Sequence, residues 1–148
     1  GGSQVFMINS NDDEEIAIKK IENDKFVKQQ CCTDLGKDVR VYIIGNKVVA
    51  AVLRTSEESF KSNYSLGGNV SLYDLNETER KYVDTITQML PMDFAAIDFI
   101  FNNGQAAFNE IEDAAGARML YSISDIDIVK MQVEYMMKEL KKSCIAKN

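Results

Sequence analysis

The chain has 148 residues, is 45% hydrophobic and 27% charged, and carries a formal net charge of −6 with a pI near 4.7. That is one ordinary domain, or part of a larger protein, with enough apolar content to bury a core; its acidity argues against a general binder of nucleic acid or anionic membranes. Histidine is absent, which removes mixed Cys/His zinc sites, Ser-His-Asp and Cys-His nucleophiles and the commonest general base, and leaves carboxylates, Lys, Arg, Tyr or Cys to carry any chemistry.

No apolar run reaches membrane-span length and no signal-peptide pattern is visible, so a cytoplasmic location is the default expectation. Gly1-Gly2-Ser3 reads as a scar or a truncated glycine-rich loop and is left out of fold arguments. Residues 5–8 read as a short strand, followed by a helix to about Ile21 with capping-box spacing at Asp12 and Glu15. A second strand is expected at 26–30. Cys31 and Cys32 are adjacent and Cys144 is remote, a pattern that fits buried apolar filler rather than a disulfide framework.

The clearest hairpin joins strands at 39–44 and 47–53 around Gly45-Asn46, in a stretch rich in β-branched residues. The polar stretch 55–69, with Gly67-Gly68, is expected to be a surface loop. Asn76 is placed to cap a helix running to about Leu90, with Glu79 completing the box and Tyr82, Val83, Ile86, Met89 and Leu90 as its apolar face. Pro91 stops it.

Strands at 94–101 and 106–112 follow, joined by Asn102-Asn103-Gly104. A two-residue type I′ turn would pair Phe101 with Ala106 and put Asp98 and Glu110 on opposite faces. A three-residue loop with a G1 bulge pairs Phe101 with Gln105. It collects Ala95, Ile97, Phe99, Phe101, Ala107 and Ile111 on one side and Asp98, Glu110 and Glu112 on the other. The three-residue loop is the expected one, because burial of an apolar face fixes register. Residues 113–123 read as irregular. Ser124 opens a last helix whose stripe of Ile126, Val129, Val133, Met136, Met137 and Leu140 is expected to pack into the core, with self-association the alternative use.

Three neighbouring carboxylates repel one another and call for solvent, raised pKa values or a cation. Oxygen donors suit Mg²⁺ or Mn²⁺, and Mg²⁺ combines one or two carboxylates with substrate phosphates and waters. A solvated polar face of an antiparallel sheet explains the spacing equally well. Cations bracket the acidic hairpin in sequence: Arg40 and Arg54 on the first hairpin, Lys61 beside Asn63 in the loop, and Arg118 after the acidic strand. Arginine forks suit phosphate oxygens, although each alone could simply pair with a surface acid. Gln29, Gln30, Cys31 and Cys32, at a strand end, offer backbone groups to a base.

The ordered segments GKDVRVYIIGNKVVAAVLR, FKSNYSLGGNV, DFAAIDFIF and FNEIEDAAGAR resemble the C-terminal half of RimK-like ATP-grasp ligases, over roughly residues 26 to 140. The resemblance implies an α+β fold, the ATP-grasp C-terminal subdomain: an antiparallel sheet with packed helices that forms part of the full fold. It also implies ATP-dependent joining of a carboxylate to an amine through an acyl phosphate. By the same resemblance Asp98, Glu110 and Glu112 are metal ligands and Arg40 faces the phosphates. Asn63, Gly67 and Gly68 belong to the loop near phosphates and acceptor, and Gln29 to Cys32 form the adenine hinge.

Four positions depart from the family pattern. Glu112 stands where the family usually has asparagine, Lys61 where arginine is common, and Ser65-Leu66 where a more basic pair often lies. The resemblance divides the chain at about residue 36, with 4–35 part of the small nucleotide-binding subdomain and 36–148 the catalytic subdomain. The expected partners are a nucleotide, a small carboxylate or peptide substrate, the N-terminal part of the same protein and a second copy of the chain; neither nucleic acid nor membrane is expected. With nothing upstream of Val5 to supply the family's N-terminal domain, lysine strand or complete glycine-rich loop, the chain is expected to be a fragment with little ligase activity by itself. The alternative is a non-catalytic nucleotide- or divalent-cation-binding or assembly module on the same fold.

Overall fold

The computed structural model describes residues 5–21, 25–57, 60, 68–113 and 115–145. A five-stranded antiparallel sheet in the order β3-β2-β1-β4-β5 organises them. Its strands are β1 (Asp34–Ile44), β2 (Lys47–Thr55), β3 (Asn69–Leu72), β4 (Phe94–Asn102) and β5 (Gln105–Asp113). The helices are α1 (Asn11–Ile21), α2 (Glu77–Met89), α3 (Arg118–Ile123) and α4 (Ile128–Ile145). Among the described residues no helix is long and apolar enough to cross a membrane.

The β1–β2 hairpin forms as its sequence predicts. Gly45 and Asn46 have φ of 56° and 63°, the left-handed pair that a type I′ turn requires and that matches the twist of the strands. The helix after Asn76 also forms as read. Asn76 Oδ1 accepts the Glu79 amide and Glu79 Oε2 accepts the Asn76 amide, both at 2.9 Å. Glu79 is buried because its other oxygen accepts the Tyr73 hydroxyl at 2.9 Å.

Strands β1 and β4 are buried on both faces, so each face of the sheet has its own core. Val39, Val41, Ile43, Ala51, Ala95, Ile97, Phe99 and Phe101 pack with Leu75, Met92 and the α2 residues Val83 and Ile86. Tyr82 of α2 stacks on Phe99 at 6.5 Å between ring centroids. Each phenylalanine buried here contributes roughly 1.5–3 kcal/mol. On the opposite face Tyr42, Ile44, Ala50, Val52 and Ala96 pack with Met119 and Leu120 of α3 and Ile128 of α4. The rest of that face carries charge.

Several expectations are corrected. Residues 5–8 and 26–30 are not strands; among the described residues no strand pairs with them, and Val5 and Val27 are exposed, whereas an isolated extended run has little stability of its own. The α1 cap lies two residues earlier than Asp12 and Glu15: Ser10 Oγ accepts the Asp13 amide and Asp13 Oδ2 the Asn9 amide. Residues 118–123 are helical rather than irregular. The last helix starts at Ile128, and of the expected stripe only Ile126 packs, partly buried, against the core; Val129, Val133, Met136, Met137 and Leu140 are all exposed, and only Ile128 of α4 is buried. Met89 and Leu90 are likewise exposed at the end of α2. Cys31 and Cys144 are exposed and Cys32 is half-buried, so the cysteines do not fill the core. Of the stretch expected to be a surface loop, residues 58, 59 and 61–67 lie outside the described residues.

Candidate functional site

Four charged side chains, Asp38, Arg40, Arg54 and Asp98, are buried on the face shared with Tyr42, at 8, 8, 5 and 2% exposure. Sheet register brings them together. Asp38 faces Arg54 across the β1–β2 pair, and Arg40 faces Asp98 across the β1–β4 pair. Because successive residues alternate faces, Asp38, Arg40 and Tyr42 line up along one side of β1.

The charges form a ladder of alternating sign. Arg40 donates Nε to Asp98 Oδ1 at 2.9 Å and Nη2 to Asp98 Oδ2 at 2.7 Å, a bidentate pair. Arg54 Nη2 donates to Asp98 Oδ2 at 2.9 Å and to Asp38 Oδ2 at 2.8 Å, and its Nε bonds Asp38 Oδ1. Glu112 Oε2 completes the ladder as an ion-pair partner of Arg40 Nη2. Buried charges persist when they are paired and hydrogen-bonded in this way. Burial opposes the charge on both guanidiniums. For Arg40 the hydrogen bond and charge of Asp98, helped by Glu112, outweigh it; for Arg54, Asp38 and then Asp98 do so, and both pKa values are raised.

The acidic hairpin reaches this face by a route that differs from the expected one. Asn103 and Gly104 have φ of 51° and 73°, and Asn102 pairs with Gln105 and Phe101 with Ala106. The turn is the two-residue type I′ form, not the three-residue loop with Phe101 opposite Gln105. Beyond Phe99, which pairs with Phe108, the register shifts by one so that Asp98 pairs with Glu110. Asn109 is the extra residue of a bulge on β5, an edge strand, where bulges are tolerated. The bulge restores the parity that the turn reverses, placing Asp98, Glu110 and Glu112 on one face and Ile97 and Ile111 on the other. Ala106, rather than Ala107, shares the apolar side with Phe101.

The predicted site residues therefore divide. Arg40, Arg54 and Asp98 are joined in the ladder, Glu112 caps it, and Glu110 is exposed directly across from Asp98. Arg118 is exposed at the start of α3, and among the described residues no ion pair joins it to the ladder. Gly68 immediately precedes β3. Gln29, Gln30 and Cys31 are exposed in an irregular stretch; the Cys31 thiol lies 3.5 Å from Met7 Sδ. Lys61, Asn63 and Gly67 lie outside the described residues.

Besides Asp38 of the ladder, three contributors carried no role in the sequence. Tyr42 is fully buried and donates its hydroxyl to the Gly116 carbonyl at 2.9 Å. Burial is the main reason its pKa is pushed up to about 12, against the lowering influence of Arg40 and Arg54. Thr33 and Asp34 hold the acidic turn: Thr33 Oγ1 accepts the Asn103 amide at 2.6 Å and Asp34 Oδ2 the Gly104 amide at 2.8 Å. The signal available for them was a Thr-Asp pair, a common acceptor of turn amides.

Among the described residues no three acidic or cysteine side chains converge closely enough to hold a metal ion by themselves. The donor chemistry still suits a hard cation that arrives with phosphate. The face offers carboxylate oxygens, Glu110 is exposed, and an Asp98 carboxylate with about four lone-pair positions accepts three guanidinium bonds. Mg²⁺ needs only one or two such groups when phosphates and waters complete its shell.

The RimK-like ATP-grasp domain family matches residues 1–136. Among the relatives, an uncharacterised protein of Mycoplasma genitalium is 34% identical over 146 residues, covering 96% of this chain and 50% of its own length. A probable alpha-L-glutamate ligase 2 of Hahella chejuensis is 28% identical over 125 residues, covering 84% of this chain and 41% of its own. One of Histophilus somni is 31% identical over 108 residues, with coverages of 72% and 36%. The chain thus spans half or less of the length of these curated relatives. The ATP-grasp ligase PsnB, solved with a precursor peptide and AMPPNP, superposes with a TM-score of 0.61 at 16% identity, over 86% of this chain and 40% of that one. D-alanine–D-alanine ligase from Bacillus anthracis, solved with ATP, gives 0.57 at 12% identity, over 90% and 49%. These likenesses establish the fold, α+β and part of the full ATP-grasp architecture, and with the family match they place this chain in the RimK-like ATP-grasp family.

Proposed function

We propose that this chain is the metal- and phosphate-binding half of an ATP-dependent carboxylate–amine ligase. The observation that carries the reading is the Asp98 carboxylate gripped by Arg40 and Arg54 with Glu110 directly across from it, on a face whose remaining donors are all oxygen. Phosphoryl transfer asks for positioning and charge neutralisation rather than a protein nucleophile, so the absence of histidine is no handicap.

In this reading a substrate carboxylate oxygen attacks the γ-phosphorus of ATP, the bond to the β–γ bridging oxygen breaks, and ADP leaves with that electron pair. The amine of the second substrate then attacks the acyl carbon, inorganic phosphate departs, and the ammonium proton passes to solvent. Asp98, Glu110 and Glu112 are the groups that would hold Mg²⁺, or Mn²⁺ in its place, and the ion would neutralise phosphate charge. Arg40 and Arg54 orient phosphate oxygens, joined by Arg118, Lys61, Asn63, Gly67 and Gly68. Gln29 to Cys32 contact the base, residues 4–35 belong to the small subdomain, and the protein works in the cytoplasm. The relatives' names suggest glutamate as a substrate, and the peptide-bound neighbours suggest a peptide acceptor. Because the stretch around Gln29 is exposed and unpaired with the sheet, adenine binding, and therefore turnover, should be weak in this chain alone.

Calorimetry with Mg·ADP tests the reading. The parent chain is expected to bind with Mg²⁺ dependence, and Glu110→Gln, which alters an exposed side chain, should weaken binding about tenfold through loss of a metal carboxylate. If Glu110→Gln and Asp98→Asn, both shown to be folded, bind like the parent, the site is wrongly assigned.

A further inference from the structure

Glu112 is the outermost rung of the ladder, with its side chain 43% accessible where those of Arg40 and Asp98 are 10% and 2% accessible. It stands across the strand pair from Ala96, whose small side chain leaves the carboxylate room to reach Arg40. There it takes Nη2, the same nitrogen that donates to Asp98 Oδ2 at 2.7 Å. Any phosphate approaching Arg40 from the open side must therefore replace Glu112. It must also enter a negative field, because the ladder's carboxylates outnumber its guanidiniums and exposed Glu110 adds a further charge.

We propose that Glu112 is a specificity-determining residue that admits metal-complexed polyphosphate and rejects the metal-free form by competing for Arg40. The inference rests on the functional reading above and adds to it an exchange of partners. With a divalent cation at hand, Glu112 gives up Arg40 for the cation, and the freed guanidinium turns to a phosphate oxygen. Without the cation, Glu112 keeps Arg40, the ion-pair partner of its half-buried charge among the described residues, so free nucleotide meets a guanidinium already neutralised. Nucleotide and metal consequently bind as a linked pair, each raising the affinity for the other by the same factor.

The test is calorimetric titration of the full chain with ADP, in excess Mg²⁺ and in excess chelator. Glu112→Gln keeps the side chain's size and removes its charge. It is expected to bind metal-free ADP about tenfold more tightly than the parent, the order of effect of one close charge pair, and to bind Mg·ADP no more tightly. Glu110→Gln removes an equal charge from the same face without touching Arg40, and should raise metal-free affinity by less than about threefold, as screened exposed charges do. An Arg40→Gln background should abolish the Glu112→Gln gain, a double-mutant cycle that reads the competition directly; should that background fail to fold, the Glu112 and Glu110 comparison decides alone. Equal metal-free gains from Glu112→Gln and Glu110→Gln overturn the competition while leaving the Mg·nucleotide site standing. Failure of the parent to bind Mg·ADP at all overturns both.

Discussion

Asp34 and Gly104, 70 residues apart, are joined by a 2.8 Å hydrogen bond from the Gly104 amide to Asp34 Oδ2. The bond fixes the turn of the acidic hairpin to the first residue of β1, and so to the stretch that leads in from Gln29. The Thr33 hydroxyl, which donates to Asp34 Oδ1 at 2.8 Å, is the larger reason that the Asp34 carboxyl titrates below its ordinary 3.8, with the Gly104 amide adding to it. A depressed carboxyl contributes stability above its unfolded pKa and loses it as pH falls through the folded value. Hydrogen exchange at the Gly104 amide should accordingly stay slow down to about pH 3.8 and quicken below it, and Asp34→Ala should make it fast at every pH. Exchange that is indifferent to Asp34→Ala would show that the turn holds itself.

Arg54 bridges two buried carboxylates, so its removal should be among the most damaging single changes. Arg54→Met leaves Asp38 without the bidentate partner and Asp98 with Arg40 alone. Breaking a buried pair from one side costs about 3–5 kcal/mol. Urea unfolding should register that loss, and Asp38→Leu in the same chain should recover part of it by removing the buried charge that Arg54 no longer neutralises. A loss near zero for Arg54→Met would mean that the ladder is wetter than its burial indicates.

Tyr42 makes the fold sensitive to alkali. Its folded pKa of about 12 lies above the free value of 10, so the protonated form is favoured by folding. That contribution is whole below pH 10 and is lost as pH rises towards 12. Tyr42→Phe should cost about 1 kcal/mol at neutral pH, through the hydrogen bond to Gly116, and should flatten the decline in stability above pH 10. Tyrosinate absorbance followed against pH reads the same group: one late-titrating tyrosine should vanish in the variant, whereas Tyr73, also raised to about 12, remains.

Gly45 and Gly104 both sit at positive φ, yet their replacement should differ in cost. A Cβ on Gly104 meets nothing within 4 Å, whereas one on Gly45 would lie 3.0 Å from Tyr135 Cδ2 and closer still to Cε2. Left-handed backbone alone costs about 1–2 kcal/mol for an alanine. Gly45→Ala should exceed this, because Tyr135 must also move from its 2.6 Å hydrogen bond to Asp93, which helps hold α4 to the sheet. Thermal unfolding of the two alanine variants, with Gly45→Ala melting well below Gly104→Ala, checks it.

Local chemistry was legible wherever a short segment settles its own conformation. Gly45-Asn46 demands a type I′ turn, and Asn76 with Glu79 satisfies its own helix amides, so both features are in the structure as the residues predict. Residues 26–30 and the α4 stripe were misread for a shared reason. Periodicity reports what a segment would bury, and these segments lack a neighbour among the described residues to bury it against. The acidic face is the subtler case. Its carboxylates do share a side, but through a bulge at Asn109 rather than a longer turn, and a one-residue shift leaves no local trace because β5 is an exposed edge strand.

By itself the sequence determined the family, the Gly45-Asn46 turn and the capped α2, because each depends on residue identity at short range or on ordered motifs. Tertiary structure alone decided that Asp38, Arg54, Asp98, Arg40 and Glu112 form one continuous ladder. Those residues come from β1, β2, β4 and β5, and only the register of three strand pairs brings them within bonding distance. Register is set by burial of Val41, Ile97 and Phe99 on the far face, so the apolar core fixes which charges meet.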